Sequence, residues 1–510
     1  MPTFAAIDIG SNSVRLKVAK VVRGRLKTLH EDREVTRLGE SVFAHGTLDP
    51  QGMAHTLRVL RRFHRAAQTH AAERVRVVAT SALRDARNRR AFLDWVRTAT
   101  GWKVEVISGL EEGRLIHLGV LANSRIANAR ALLVDMGGGS CELTLSMSGH
   151  IDDMVSLPIG AVRLTQTFLH HDPPRRAELE QMRGVIQREV SRIRKRILDA
   201  RLQMTIATSG TPAALSGLYA AGMGADENRP QTVPQTAVAS LLEKLSRRNL
   251  AQRRALPGIG LRRAEIIIAG AMVFAELMQL CRLRSFRYLP LGLRDGLLAQ
   301  MMADYNASSA LRERVESERQ EALLSAGKHY GVDLQFAQRI RDLALQLFRR
   351  LQPVHQLPPQ YADWLEAAAM LHEVGAYINR SGRRRHTYYV IANSEIFGYT
   401  PLQRRIIGAI ARYIGKSLPV PSDQVMRVLP GPEQIHVAKA VALLRLARAL
   451  DQGRRAAVGN LTIRIHQNGT VRLMLKPRPQ EGIELELWAV KQEKDYFETV
   501  FGRELRAEAC

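Results

Sequence analysis

Two short segments carry the residue types that bind phosphate. Asp8-Ile9-Gly10-Ser11-Asn12-Ser13 closes an apolar run near the start of the chain, and Asp135-Met136-Gly137-Gly138-Gly139-Ser140 closes another 127 positions later. A phosphate is held by converging backbone N–H donors, and glycine lets the backbone approach closely. Gly10 and the run Gly137, Gly138, Gly139 offer that approach, while Ser11, Ser13 and Ser140 add hydroxyl donors. An aspartate at the end of each strand, Asp8 or Asp135, is placed to hold Mg²⁺ directly or through water, and the metal neutralises phosphate charge. One such turn is weak evidence. Two at matching places predict a duplicated fold that grips phosphate from both sides of a cleft.

The elements that must position these turns follow from hydrophobic periodicity. Phe4–Ile9, Val14–Val22 and Arg25–Leu29 read as a strand meander, followed by a helix after Asp49-Pro50, a strand at Val75–Ala79, a helix at Asn88–Ala99, a strand at Val104–Ile107 and a helix over Glu111–Leu121. The second half repeats the plan. Ala131–Val134 enters the loop, Glu142–Met147 and Ile151–Leu157 form a hairpin, a helix spans roughly Pro174–Ala200, and Met204–Ala207 meets a third small-residue turn, Thr208-Ser209-Gly210. Phe286–Leu289 reads as a further strand. Residues 308–455 keep helical periodicity with few strand runs, and the last fifty residues read as β-rich, with strands at Leu461–His466 and Val471–Leu475 around Asn468-Gly469 and a third at Ile483–Val490.

The paired loops, Ala79-Thr80-Ser81-Ala82-Leu83-Arg84-Asp85-Ala86, and Ile107-Ser108-Gly109-Leu110-Glu111-Glu112-Gly113 together resemble the exopolyphosphatase/guanosine pentaphosphate phosphatase family, as do Pro257-Gly258 with Arg263 and Leu293-Arg294-Asp295-Gly296. The resemblance implies an α/β fold of duplicated RNase H-like domains of the actin, Hsp70 and sugar kinase superfamily, here 1–124 and 125–302. It implies an all-α HD-like domain over 303–457 and a small β-rich C-terminal domain over 458–510. It further implies Mg²⁺-dependent hydrolysis of terminal phosphoanhydride bonds, with Glu112 as the base that activates water. Asp135 is then the metal-side carboxylate, Asp8 lines the opposite wall, and Glu142 holds metal or water. Asn12 and Ser13 bind phosphate, as do Gly138, Gly139 and Ser140, and Arg84 is placed to pair with phosphate. Glu111 is expected to serve the helix macrodipole instead. The family's second loop usually has Thr where this chain has Cys141, which removes one hydroxyl and leaves the backbone donors.

Met370-Leu371-His372-Glu373 is similar to a degenerate HD phosphohydrolase motif, with Asp451 near the distal Asp position; the family's long members share the His-Glu form, so a structural role is expected. Asn379 to Tyr389 packs four arginines, among them Arg383, Arg384 and Arg385, beside a His and two Tyr. That segment is either a solvated basic loop or a polyanion track. The track reading points to inorganic polyphosphate as substrate. The open alternatives are a guanosine pentaphosphate (pppGpp) 5′-phosphatase, a superfamily kinase, and a non-enzymatic polyanion- or nucleic-acid-binding protein.

Lys plus Arg number 75 against 49 Asp plus Glu, a net charge of +26 over 510 residues. That excess favours polyanionic partners or reflects an Arg-rich genome, and names no substrate. No specific nucleic-acid motif and no spanning apolar stretch stand out. Three cysteines without metal spacing fit a reducing compartment. The expectations are therefore a cytoplasmic location, with peripheral contact at the inner membrane face left open, and a homodimer by family resemblance.

Overall fold

Seven residues from Thr3 to Ile9 (β1) form the buried centre of a first sheet, which is why they read as an apolar run rather than an alternation. The computed structural model describes residues 1–124, 129–223, 232–260, 263–305, 310–415, 417–466 and 469–510. β1 pairs antiparallel with Ser13–Val22 (β2), which pairs antiparallel with Arg25–Val35 (β3). On its other side β1 runs parallel to Arg74–Ala79 (β4), and β4 runs parallel to Val104–Val106 (β5), giving the order β3-β2-β1-β4-β5.

The second sheet repeats this plan around Arg130–Met136 (β6). Cys141–Met147 (β7) and His150–Leu157 (β8) lie antiparallel on one side, and Met204–Thr208 (β9) lies parallel on the other. Thr232–Pro234 (β10) and Ser285–Tyr288 (β11) complete the order β10-β11-β9-β6-β7-β8. The repeat holds to the residue. Asp8 stands opposite Arg15 and Ile9 opposite Val14; Asp135 stands opposite Glu142 and Met136 opposite Cys141. In both turns the first Gly N–H is donated to the carbonyl three residues on, Gly10 to Ser13 at 3.1 Å and Gly137 to Ser140 at 3.0 Å. β7 alternates polar and apolar residues, yet both its faces are buried. Its polar side chains bond inward: Ser146 Oγ lies 2.9 Å from His117 Nε2, and Glu142 accepts from Ser156 at 2.8 Å.

Two glycines join the halves. The helix Gly109–Asn123 of the first half crosses the helix Leu293–Tyr305 at Gly119 and Gly296. A Cβ on Gly296 would sit 1.8 Å from the Leu115 carbonyl oxygen, so the crossing closes only with hydrogen there. Overpacking of this kind costs about 1–3 kcal/mol or more. Gly296→Ala is expected to lower the melting temperature by several degrees, and an unchanged melt would show that the helices can part without loss.

The chain divides into two compact units, 1–315 and 316–510. In the second unit, helices up to Ala449 precede a three-stranded sheet of Val458–Ile465 (β12), Val471–Pro477 (β13) and Leu505–Ala509 (β14), in the order β12-β13-β14. Helices and sheet share one core, in which Leu461, Val471, Leu473 and Leu505 pack with Phe336, Ile340 and Leu444. The strand expected at Ile483–Val490 is instead a helix, Glu484–Gln492. Its Glu-Leu-Glu-Leu alternation mimics a strand, but Glu, Leu, Ala, Lys and Gln are strong helix formers. Asn468 of the expected hairpin turn lies outside the described residues. The basic segment is a loop only over 379–382; Arg383–Asn393 is helical. No helix among the described residues is long and apolar enough to cross a membrane.

Candidate active site

The ends of β1 and β6 face each other across a cavity of about 320 Å³ lined by both turns. Asp8, Gly10, Ser11, Asn12 and Ser13 line it from the first half, and Asp135, Gly137, Gly138 and Ser140 from the second, with Glu112 between. Gly139 stands behind the lining. A Cβ there would meet Ser81 Oγ at 2.2 Å and the Phe43 ring at 2.4 Å, so glycine is needed for the close approach of the two halves. None of Gly10, Gly137, Gly138 and Gly139 has a positive φ. Proximity, not left-handed backbone, selects these residues.

Glu112 reaches the cavity because Ser108 caps its helix, accepting the Glu111 N–H at 3.1 Å. Glu111 turns away and is held by Arg114 at 2.8 Å. Arg84 binds three groups at once: the Ile107 carbonyl at 2.9 Å, Glu112 Oε2 at 3.2 Å and Ser140 Oγ at 3.3 Å. It therefore braces the carboxylate against the second loop. Its neighbour Asp85 pairs with Arg163, whose Nε donates to the Gly139 carbonyl at 2.8 Å and whose guanidinium lies 4.2 Å from the Phe43 ring centre. Adjacent residues of one short helix thus fix both the Glu112 carboxylate and the loop peptide.

Three buried carboxylates converge. Glu112, Asp135 and Glu142 each offer an oxygen within 4.8 Å of the others. Asp135 Oδ1 accepts from Thr208 at 2.5 Å and from Ser209 at 2.6 Å, so the third small-residue turn serves to hold this carboxylate. Ser209 does so at φ 78° and ψ −172°, a conformation that costs about 1–3 kcal/mol for a side chain other than glycine. Glu142 Oε2 and Asp8 Oδ1 are buried without a hydrogen-bond partner. Burial, then the charge of Glu142, raises the Glu112 pKa well above the carboxylate range, against the opposing pull of Arg84. Burial and the Asp135 charge raise Glu142 to about 7, and burial raises Asp8 and Asp135. Packed acids with orphan oxygens fit a hard divalent cation such as Mg²⁺, which takes oxygen ligands. Asp8, expected among the ligands, is outside the converging trio, and Glu112, expected as base alone, is inside it.

The raised carboxylates carry a consequence for the metal-free protein. An acid whose pKa rises on folding stabilises the fold while protonated, fully below its unfolded value near 4.5, and loses that contribution as pH climbs through its folded value near 7. Without metal, the wild-type melt is expected to fall between about pH 5 and pH 8. Glu142→Gln, which cannot ionise, is expected to lose roughly 3 kcal/mol less over that interval. Equal losses would show that Glu142 ionises freely.

The same cavity also has a basic lining that the sequence reading did not place in the site. Arg15, Arg33, Arg263 and Arg294 line the cavity. Arg263 is half-buried, with its guanidinium against Gly210, and loss of solvent, then the charges of Arg15 and Arg33, lowers its pKa to about 9. The available signal was the repeat itself: in register with Glu142 of the second turn, the first turn carries Arg15. Arg383 and Arg385 are exposed on their helix, while Arg384 is half-buried with its guanidinium against Gly415. The three arginines therefore do not present one continuous row. Arg262, the basic neighbour of Arg263 in the sequence, lies outside the described residues.

Residues 17–305 match the sequence model of the Ppx/GppA phosphatase family, and residues 319–496 match that of its domain III. Among solved structures, the Ppx/GppA family member of Aquifex aeolicus is 29% identical, with a TM-score of 0.52 over 60% of this chain and 99% of its own. A further structure of the Aquifex aeolicus enzyme is 30% identical, with a TM-score of 0.50 over 58% and 98%. An exopolyphosphatase from Cytophaga hutchinsonii is 24% identical, with a TM-score of 0.56 over 60% and 100%. The last likeness shows the fold.

Proposed function

Because this chain belongs to the Ppx/GppA phosphatase family and is built as a hydrolase with duplicated RNase H-like domains, we propose that it is a Mg²⁺-dependent exopolyphosphatase. The observation that carries the reading is one cavity lined by Glu112 and Asp135, on which the buried Glu142 converges, and by four arginines. The substrate is a chain of phosphates: the terminal one sits between the two turns, and the next ones lie along Arg15, Arg33, Arg263 and Arg294.

In this reading the turn N–H groups and Ser11, Ser13 and Ser140 orient the terminal phosphate. Asp135 and Glu142 would hold Mg²⁺, with Asp8 on the opposite wall; when bound, the metal neutralises charge that develops on the transferred phosphoryl oxygens. Glu112 takes a proton from water, whose oxygen forms a bond to the terminal phosphorus. The bridging P–O bond breaks, and its electron pair leaves on the shortened chain. A carboxylate with a raised pKa suits this role, since it is a stronger base near neutral pH. Arg84 keeps its oxygen aimed.

The guanosine pentaphosphate reading shares the cleft. Among the described lining residues Tyr288 is the one aromatic side chain, beside Arg263, and offers a lone platform for a base. Phosphate release from long-chain polyphosphate, pppGpp, and ATP with sugars, each with Mg²⁺, separates the readings. Polyphosphate is expected to turn over fastest. Faster turnover of pppGpp would reassign the substrate, and salt-sensitive binding without turnover on any of them would remove the enzyme reading.

A further inference from the structure

The second unit holds another concentration of charge, around the buried ring of Phe336. The guanidinium carbons of Arg454, Arg448 and Arg339 lie 4.2, 5.0 and 5.6 Å from its centre. The His372 ring lies 5.7 Å away. Two carboxylates belong to the cluster, and both are already answered by the chain. Glu373 pairs with Arg454, and Asp451 pairs with Arg339 at 2.8 Å while its other oxygen accepts the Ala456 N–H at 2.8 Å. The two carboxylates that resemble part of an HD metal set are thus bound to arginines. They also do not converge, since the one group of three ligand atoms among the described residues is that of the cleft.

After these pairs form, positive charge remains. Arg448 donates to neutral acceptors, the Asp451 carbonyl at 3.3 Å and Gln452 Oε1 at 3.1 Å, and it makes no ion pair among the described residues. Arg383 adds its charge to the same neighbourhood. Three guanidinium groups packed on the Phe336 ring stand beside two carboxylates, and the exposed Arg383 brings a fourth positive charge near Arg448, a surplus of two. A partly buried cation without a counter-ion is costly to keep, so the cluster favours an anion.

His372 adds a chemical requirement. Its Nδ1 lies 2.7 Å from the Ala369 carbonyl, which can only accept, so Nδ1 carries the proton and Nε2 bears the lone pair. That Nε2 is buried and has no partner. A ligand that suits the whole cluster is a dianion carrying one O–H. Hydrogen phosphate meets both conditions; sulfate and methyl phosphate match the charge and lack the O–H.

We propose that Arg448 and Arg383, with Arg339 and Arg454, form a binding site for orthophosphate, in which His372 Nε2 accepts the ligand's O–H. The site is independent of what the cleft hydrolyses. Equilibrium dialysis of the full-length, metal-free chain with radiolabelled orthophosphate tests it. Arg448→Gln is expected to weaken one class of phosphate site about 10-fold or more, the loss of a hydrogen bond to a charged group. Arg383→Gln, at an exposed position that cannot disturb the core, is expected to weaken the same class about threefold. His372→Phe is expected to erase the preference for phosphate over sulfate and methyl phosphate. Wild-type phosphate isotherms for both arginine variants, or equal competition by sulfate against the wild-type chain, would overturn the proposal.

Discussion

Glu112→Gln is expected to slow phosphate release from polyphosphate by about 10²–10⁴-fold, the usual contribution of a positioned general base. The amide keeps the shape and can still meet Arg84, but it cannot take the proton of water. Substrate affinity should stay within a few-fold, because the turn donors and the arginine wall are untouched. Mg²⁺ affinity decides between the two roles that the geometry allows, since a Glu112 oxygen lies within 4.8 Å of oxygens of Asp135 and Glu142. Unchanged Mg²⁺ half-saturation with a collapsed kcat supports the base. A matched loss of metal binding would make Glu112 a ligand and leave water activation to another group.

Asp135→Asn is expected to act on the metal. The substitution keeps one oxygen for Thr208 and Ser209, so the turn should hold its place. The negative charge at the centre of the trio is lost, and Mg²⁺ half-saturation is expected to rise by at least about 100-fold. Raising Mg²⁺ should then restore part of the rate, which would not follow from a misfolded site. An activity curve against Mg²⁺ that matches wild type would remove Asp135 from the ligand set. Loss of activity that no Mg²⁺ concentration recovers would show that Asp135 orders the turn rather than the ion.

The cavity lining was partly legible because the two glycine-rich turns are local. Asp8 to Ser13 and Asp135 to Ser140 lie at a strand end and in its turn, so their chemistry follows from neighbouring residues. Glu112 was singled out by the family resemblance of its Ser-Gly-Leu-Glu-Glu segment, and the structure places it in the first turn of a helix capped by Ser108. The roles of Ser209 and Arg163 were not legible. Ser209 matters through a bond to Asp135 and a strained backbone, and Arg163 through a carbonyl of the second loop and an aspartate of the other half. Such partners lie 24 to 78 residues apart along the chain, and no periodicity reports them. Ile483–Val490 failed for the opposite reason: its alternation is real, but a helix of Glu, Leu and Ala buries Ala489 and Val490 against the shared core.

By itself the sequence determined the duplicated plan and the two glycine-rich turns with their strand-end aspartates, because these depend on residue type and short spacing. Tertiary structure alone decided that three carboxylates share one buried space, that four arginines line the adjoining cavity, and that the HD-like carboxylates Glu373 and Asp451 are paired with guanidinium groups. The physical reason is range. Turn and cap preferences act over a few residues, whereas burial and Coulomb coupling depend on which distant side chains the sheets and helix crossings bring together.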